Sequence, residues 1–159
     1  MKPAFDSIVY CDASVRNDHH GIGICLLDAQ GRLVRRASKR LVPVGRNNTE
    51  VEAVAVLEAA SMAIKRGAKA VRIYTDSLSL VSAVRSGRAK SRVIRAFVQR
   101  VKELRLRIKL SIKWVRGHTG HRWNTLCDYL AKNAKWTLFE RLAIRLNQSV
   151  SLRKLRLVS

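Results

Sequence analysis

Residues 48–76 read NTEVEAVAVLEAASMAIKRGAKAVRIYTD, and within them the chain passes from helical to strand character. The Ala-rich half, Asn48 to Arg66, predicts a helix, and Gly67 stands where a helix C-terminus favours glycine. Beyond it, Val71–Thr75 (VRIYT) is a short run of the buried-strand kind that ends at Asp76. Upstream, Ser7–Cys11 (SIVYC) predicts a strand that stops at Asp12, and Gly21–Asp28 and Leu33–Leu41 flank the turn Ala29-Gln30-Gly31-Arg32. Downstream, the pattern predicts a helix over Ser77–Arg85, a break at Ser86-Gly87 and a basic helix from Ser91 to about Leu106. A strand over Ile108–Val115 and a terminal helix from Arg122 to about Asn147 follow. Three consecutive antiparallel strands, then alternating helices and strands, predict an α/β fold. Its expected form is a five-stranded mixed sheet, three antiparallel strands and two parallel additions, with helices on both faces. One domain over 1–147 and a basic tail over 148–159 is the expected organisation.

The 159 residues are 47% hydrophobic, enough for one core without disulfide or metal staples. Lys and Arg number 32 against 11 Asp and Glu, a formal charge of +21. Such a field attracts polyanions, nucleic acid first among them, with a membrane surface or simple solubility as the alternatives. No run approaches the length of a spanning helix, and no apolar leader follows Met1-Lys2-Pro3, so the expectation is a soluble cytoplasmic protein. Cys11, Cys25 and Cys127 are isolated and odd in number, which suits neither a zinc site nor a disulfide framework.

With so few acidic residues, their placement carries information. Asp12 and Asp76 each close a predicted strand, where open sheets gather ligand-binding groups. On neighbouring strands, two such carboxylates would repel each other and favour a shared cation. Asp is also the ordinary residue of turns and helix caps. Helical phase separates the glutamates of the Ala-rich segment: Glu50 groups with Glu58, Ser61 and Lys65 within an arc of about 80°, whereas Glu52 lies about 150° from its centre. Glu52 therefore falls among Ala55, Val56, Ala59 and Ala63, where a carboxylate needs an arginine partner or a metal. Farther on, Asn124 and Asp128 stand four apart at the start of the last helix, behind a loop of residues 116–121 (RGHTGH). Its glycines allow close backbone approach, and His118 is suited to proton transfer near neutral pH.

These residues resemble the type 1 ribonuclease H family over roughly Ser7 to Ala134. The strongest segment is WVRGHTGHRWNTLCDYLA (114–131), similar to the family's strand, GHxGH loop and N-x-x-x-D helix start. Asp12-Ala13-Ser14, Val51-Glu52-Ala53 and Thr75-Asp76-Ser77 follow its other motifs in order. Ala13 stands where the family has glycine, Leu78 where many members have glutamine, and Asn47-Asn48 lies one residue farther from Glu52 than usual. The stretch from Asp76 to His118 is too short for the extended basic handle of some bacterial members.

The resemblance implies an endonuclease that cuts the RNA strand of RNA/DNA hybrids, leaving 5′-phosphate and 3′-hydroxyl ends. It implies two Mg²⁺ ions, replaceable by Mn²⁺, held by Asp12, Glu52, Asp76 and Asp128, with His118 assisting proton transfer or product departure. Ser14, Asn48, Thr49, Ser77 and Asn124 would contact substrate. The basic residues Arg85 to Lys102, and Arg153, Lys154 and Arg156, would meet phosphates. Double-stranded RNA is a further candidate substrate, and a monomer is expected. The competing readings are a ribonuclease H-like binding module that cuts nothing and the nuclease portion of a retroelement.

Overall fold

A computed structural model describes residues 4–16, 19–41, 47–117 and 119–135. Strands β1 (Ser7–Val15), β2 (His20–Asp28) and β3 (Leu33–Leu41) pair antiparallel in succession. The β2–β3 turn is set by Asp28, whose carboxylate accepts the N–H groups of Gln30 and Arg32, both at 2.9 Å. Gly31 there takes φ 78°, a conformation that a side chain would strain.

Helix α1 (Asn48–Lys65) starts at Asn47, whose side chain accepts the Glu50 N–H at 3.1 Å. It stops where Gly67 turns left-handed: Gly67 N–H bonds the Ile64 carbonyl and Ala68 N–H that of Ala63, the paired reverse bonds of a glycine C-terminus. Then come β4 (Ala70–Thr75), α2 (Leu78–Ser86), α3 (Arg92–Arg105), β5 (Lys109–Trp114) and α4 (Arg122–Lys132). The sheet order is β3-β2-β1-β4-β5, with β4 parallel to β1 and β5 parallel to β4. This is the five-stranded mixed sheet that the sequence predicts.

Alternation along the strands divides the core between the two faces. Val9, Cys11 and Ala13 of β1, with Ile22, Ile24 and Leu26 of β2, pack toward α1, whose Ala55, Ala59 and Ala63 let the helix lie close. Tyr10, Cys25 and Leu27 face the other way, onto Cys127 of α4. The three cysteines are free and buried, as apolar filler of the core. Gly21 and Gly23 alternate with the isoleucines of β2 on the α4 side, where a Cβ would collide with the carbonyl oxygens of Ala131 and Cys127. Helix α4 thus rests directly on strand backbone, a closeness only glycine permits.

Two expectations are corrected. β1 does not stop at Asp12: its ladder with β2 continues to Val15 opposite His20, although the parallel ladder with β4 ends at Tyr10 opposite Tyr74. The terminal helix does not run to Asn147. It closes at Lys132, where the Asn133 side-chain amide donates to the Tyr129 carbonyl at 2.8 Å and competes with a further turn. The basic tail, residues 148–159, and the domain boundary at 147 lie outside the described residues.

Candidate active site

The site grows from the end of the parallel ladder. Two residues past its last pair, Tyr10 and Tyr74, stand Asp12 and Asp76, brought level by the register of the two strands. Asp12 is still within β1, paired with Gly23 of β2, while Asp76 lies just beyond β4. From the opposite layer, the second turn of α1 delivers Glu52. The Ala13 N–H points at both side chains, 2.8 Å from Asp12 Oδ1 and 3.2 Å from Glu52 Oε1. One oxygen from each of Asp12, Glu52 and Asp76 lies within 4.8 Å of the others.

Burial makes this grouping costly. Asp12 is 5% exposed and Glu52 2%, so little water is available to screen their charges. Desolvation first, and then the Asp76 carboxylate, pushes the Asp12 pKa up to about 6. Desolvation, followed by Asp12 and Asp76, pushes that of Glu52 up to about 10. At about 4 Å and an effective dielectric near 20, two like charges repel by roughly 4 kcal/mol. Glu52 Oε2 is buried with no hydrogen-bond partner among the described residues. An orphaned carboxylate oxygen beside two further carboxylates fits a hard divalent cation, which takes oxygen ligands and cancels the repulsion.

Helical phase puts Glu52 rather than Glu50 at the cluster, but Glu50 is not on a solvated face. It is buried, and its carboxylate accepts a short hydrogen bond from Ser91 Oγ at the start of α3. A helical wheel of α1 alone contains nothing about the element that covers its first turn.

Asp128 stands apart from the three. Its carboxylate is 2.7 Å from Lys132 Nζ, one turn along α4, and it borders a cavity of about 260 Å³ with Gly120, Asn124 and Thr125. Its charge nevertheless contributes to raising the Asp12 pKa. Asn124 is buried at the same cavity, with Oδ1 unpartnered among the described residues. His118 lies outside the described residues. Ser14 is half-buried near the end of β1 opposite Gly21, and Asn48 and Thr49 occupy the first turn of α1. Thr49 Oγ1 is 3.3 Å from Ser79 Oγ, which is 3.2 Å from Ser77 Oγ, so the two helix starts are joined by hydroxyls.

Sequence reasoning does not foresee the contacts of several supporting groups. Trp114, 44% exposed at the end of β5, donates its indole N–H to the Asp76 carbonyl at 3.1 Å. Gly117 lies against Asp76 so tightly that a Cβ there would sit 2.6 Å from Asp76 Oδ2. Lys132 was findable, since it stands four residues after Asp128.

The RNase H family model matches residues 5–135. A ribonuclease H of Syntrophomonas wolfei is 31% identical over 104 residues, spanning 55% of this chain and 68% of its own. RNase H1 of the archaeon Halobacterium salinarum superposes with a TM-score of 0.70 at 21% identity, covering 80% of this chain and 96% of that one. LC11-RNase H1, solved in complex with an RNA/DNA hybrid, superposes with a TM-score of 0.68 at 18% identity, covering 80% and 95%.

Proposed function

Since the chain belongs to the ribonuclease H family, we propose that it hydrolyses the RNA strand of RNA/DNA hybrids with divalent metal ions, leaving 5′-phosphate and 3′-hydroxyl ends. The observation that carries this reading is the convergence of Asp12, Glu52 and Asp76, each offering an oxygen within 4.8 Å of the others. Two Mg²⁺ ions, or Mn²⁺ in their place, would supply a nucleophilic water at neutral pH and stabilise charge on the scissile phosphate.

The chain's own residues supply the rest. Asp12, Glu52 and Asp76 would hold the metals, with Asp128 as the fourth carboxylate of the set. Ser14, Asn48, Thr49, Ser77 and Asn124 orient the hybrid. Hydroxyl and amide groups of this kind pair with the 2′-hydroxyls that distinguish RNA from DNA in a shallow minor groove. His118 moves a proton at the reacting phosphate or its leaving oxygen. The formal charge of +21 binds phosphates on both strands, so affinity falls steeply with salt. The proposed setting is a reducing cytoplasm, in keeping with three free buried thiols.

The test compares RNA/DNA, RNA/RNA and DNA/DNA duplexes of one sequence with Mg²⁺, Mn²⁺ or chelator, for the wild type and Asp76→Asn. Metal-dependent cutting of the RNA strand of the hybrid, lost in Asp76→Asn, is expected. Hybrid cleavage that survives both chelation and the substitution would overturn the reading.

A further inference from the structure

Two residues before each of Asp12 and Asp76 the sheet carries a tyrosine. Tyr10 and Tyr74 are the last cross-strand pair of the β1–β4 ladder, so strand alternation puts them on the faces from which Asp12 and Asp76 project. Their rings stack at 4.8 Å with 15° between planes. The His121 imidazole also stacks on Tyr10, at 4.8 Å and 27°. Three rings centred on Tyr10 thus tie together β1, β4 and the residue that opens α4.

His121 occupies the N-cap position of α4, and its side chain makes no cap hydrogen bond. Ser, Thr, Asp or Asn there would stabilise the helix by about 1 kcal/mol. Its Nε2 is instead 3.4 Å from the Tyr10 hydroxyl, and Nδ1 is buried without a partner among the described residues. A residue that forgoes the local rule is the kind that serves a site. His121, Asn124 and Asp128 also follow one another at helical spacing, so whatever fixes the first sets the height of the other two.

We propose that Tyr10 and His121 are positioning residues: their stack holds the start of α4, and with it Asn124 and Asp128, at a fixed height over the carboxylate pair Asp12 and Asp76. The proposal deepens the nuclease reading and rests on it. Stacking, rather than the long Tyr10–His121 hydrogen bond, carries the role. A phenyl ring at position 121 therefore preserves it, and a methyl group does not.

The experiment compares His121→Ala, His121→Phe and, as a stability control, Leu27→Ala, which lies in the same apolar cluster at the far end of β2. Each full-length variant is assayed for hybrid cleavage well below its own melting midpoint, and for the shift of that midpoint by Mn²⁺. His121→Ala is expected to lose about tenfold or more in kcat with KM within about twofold, and to show a smaller Mn²⁺ shift. His121→Phe recovers most of both, and Leu27→Ala loses stability without losing kcat. The proposal is overturned if His121→Phe is no better than His121→Ala, or if kcat merely tracks stability across all three. Should the wild type cut no hybrid, the nuclease reading fails by itself. The Mn²⁺ shifts of His121→Ala and His121→Phe then still decide whether the stack positions the carboxylates.

Discussion

The parallel ladder of β1 and β4 has carboxylates beyond both of its ends, and the two ends are treated in opposite ways. Where the strands begin, Asp6 Oδ2 accepts the N–H groups of Lys69 and Ala70 at 2.8 and 3.0 Å. Beside it, the Phe5 ring is covered by the Arg72 guanidinium at 4.1 Å and the Lys109 ammonium at 4.8 Å. Just past the end of the parallel ladder, Asp12, Glu52 and Asp76 crowd together with one backbone N–H between two of them, and Glu52 Oε2 has no hydrogen-bond partner among the described residues. One end has its carboxylate satisfied by backbone N–H groups, whereas the other keeps Asp12 and Glu52 buried beside each other with raised pKa values. A fold that satisfies its carboxylate at one edge and crowds buried carboxylates together at the other has placed stability and function apart.

The contrast breaks most visibly under substitution of the carboxylates. Asp12→Asn is expected to reduce hybrid cleavage at least about a thousandfold, because several kcal/mol of metal-borne charge stabilisation goes with the ligand. Asp6→Ala should leave cleavage within about twofold and lower stability by about 1–3 kcal/mol, since two hydrogen bonds to a carboxylate are lost. Steady-state cleavage and chemical denaturation of both variants check the pair; equal activity losses would erase the distinction between the two ends.

Acidity sharpens the same point. The Asp12 pKa is raised from 3.8 to about 6 and that of Glu52 from 4.5 to about 10. A carboxyl raised on folding contributes stability that is complete below its unfolded pKa and is lost as pH rises through the folded value. In chelator, the melting midpoint should therefore fall as pH rises from about 4 to 8, with the Asp12 part of the loss worth roughly 2–3 kcal/mol. Asp12→Asn should flatten that slope, and Mg²⁺ or Mn²⁺ should restore the wild-type midpoint at pH 8. A midpoint in chelator that rises over this range would contradict the strain assigned to the cluster.

Next in size is Gly117→Ala. A Cβ at this position would stand 2.6 Å from Asp76 Oδ2 and 3.3 Å from Asp76 Cβ, so the loop or the carboxylate must move. Displacing a metal-binding side chain through its neighbour costs about 10- to 100-fold in activity. Stability should change little, since Gly117 belongs to a loop and its φ is not left-handed. A variant with full activity would mean that Asp76 can yield without consequence.

How far the sequence could be read divides along similar lines. The meander, the Ala-rich helix and the strand ending at Thr75 announce themselves through local periodicity and turn residues, and β3 occupies its predicted span without change. Glu52 was separable from Glu50 because phase along one helix is local information. What involves two elements was not legible. Glu50 is buried by Ser91 across the gap to α3, and the early end assigned to β1 missed a ladder that its other edge keeps with β2. Gly21 and Gly23 look like weak points in a strand until α4 is laid upon them. The stack on Tyr10 draws on residues 10, 74 and 121, which no window of sequence contains.

The smallest expected effect concerns Asp128, whose carboxylate is already paired with a lysine. Asp128 lies 2.7 Å from Lys132 Nζ, in a pair whose side chains are 24% and 46% exposed. Exposed pairs of this kind contribute about 0–1 kcal/mol, so Lys132→Met should shift stability by less than that. If Asp128 must leave Lys132 to join Asp12, Glu52 and Asp76 around a metal, removing the lysine lowers the cost of that move. Mn²⁺ should then bind about two- to threefold more tightly, a gain of roughly 0.5 kcal/mol. Calorimetric titration of the wild type, Lys132→Met and Asp128→Asn measures it directly. Tighter binding in the first variant and weaker in the second places Asp128 among the ligands. Unchanged binding in both would leave Asp12, Glu52 and Asp76 to hold the metal without Asp128.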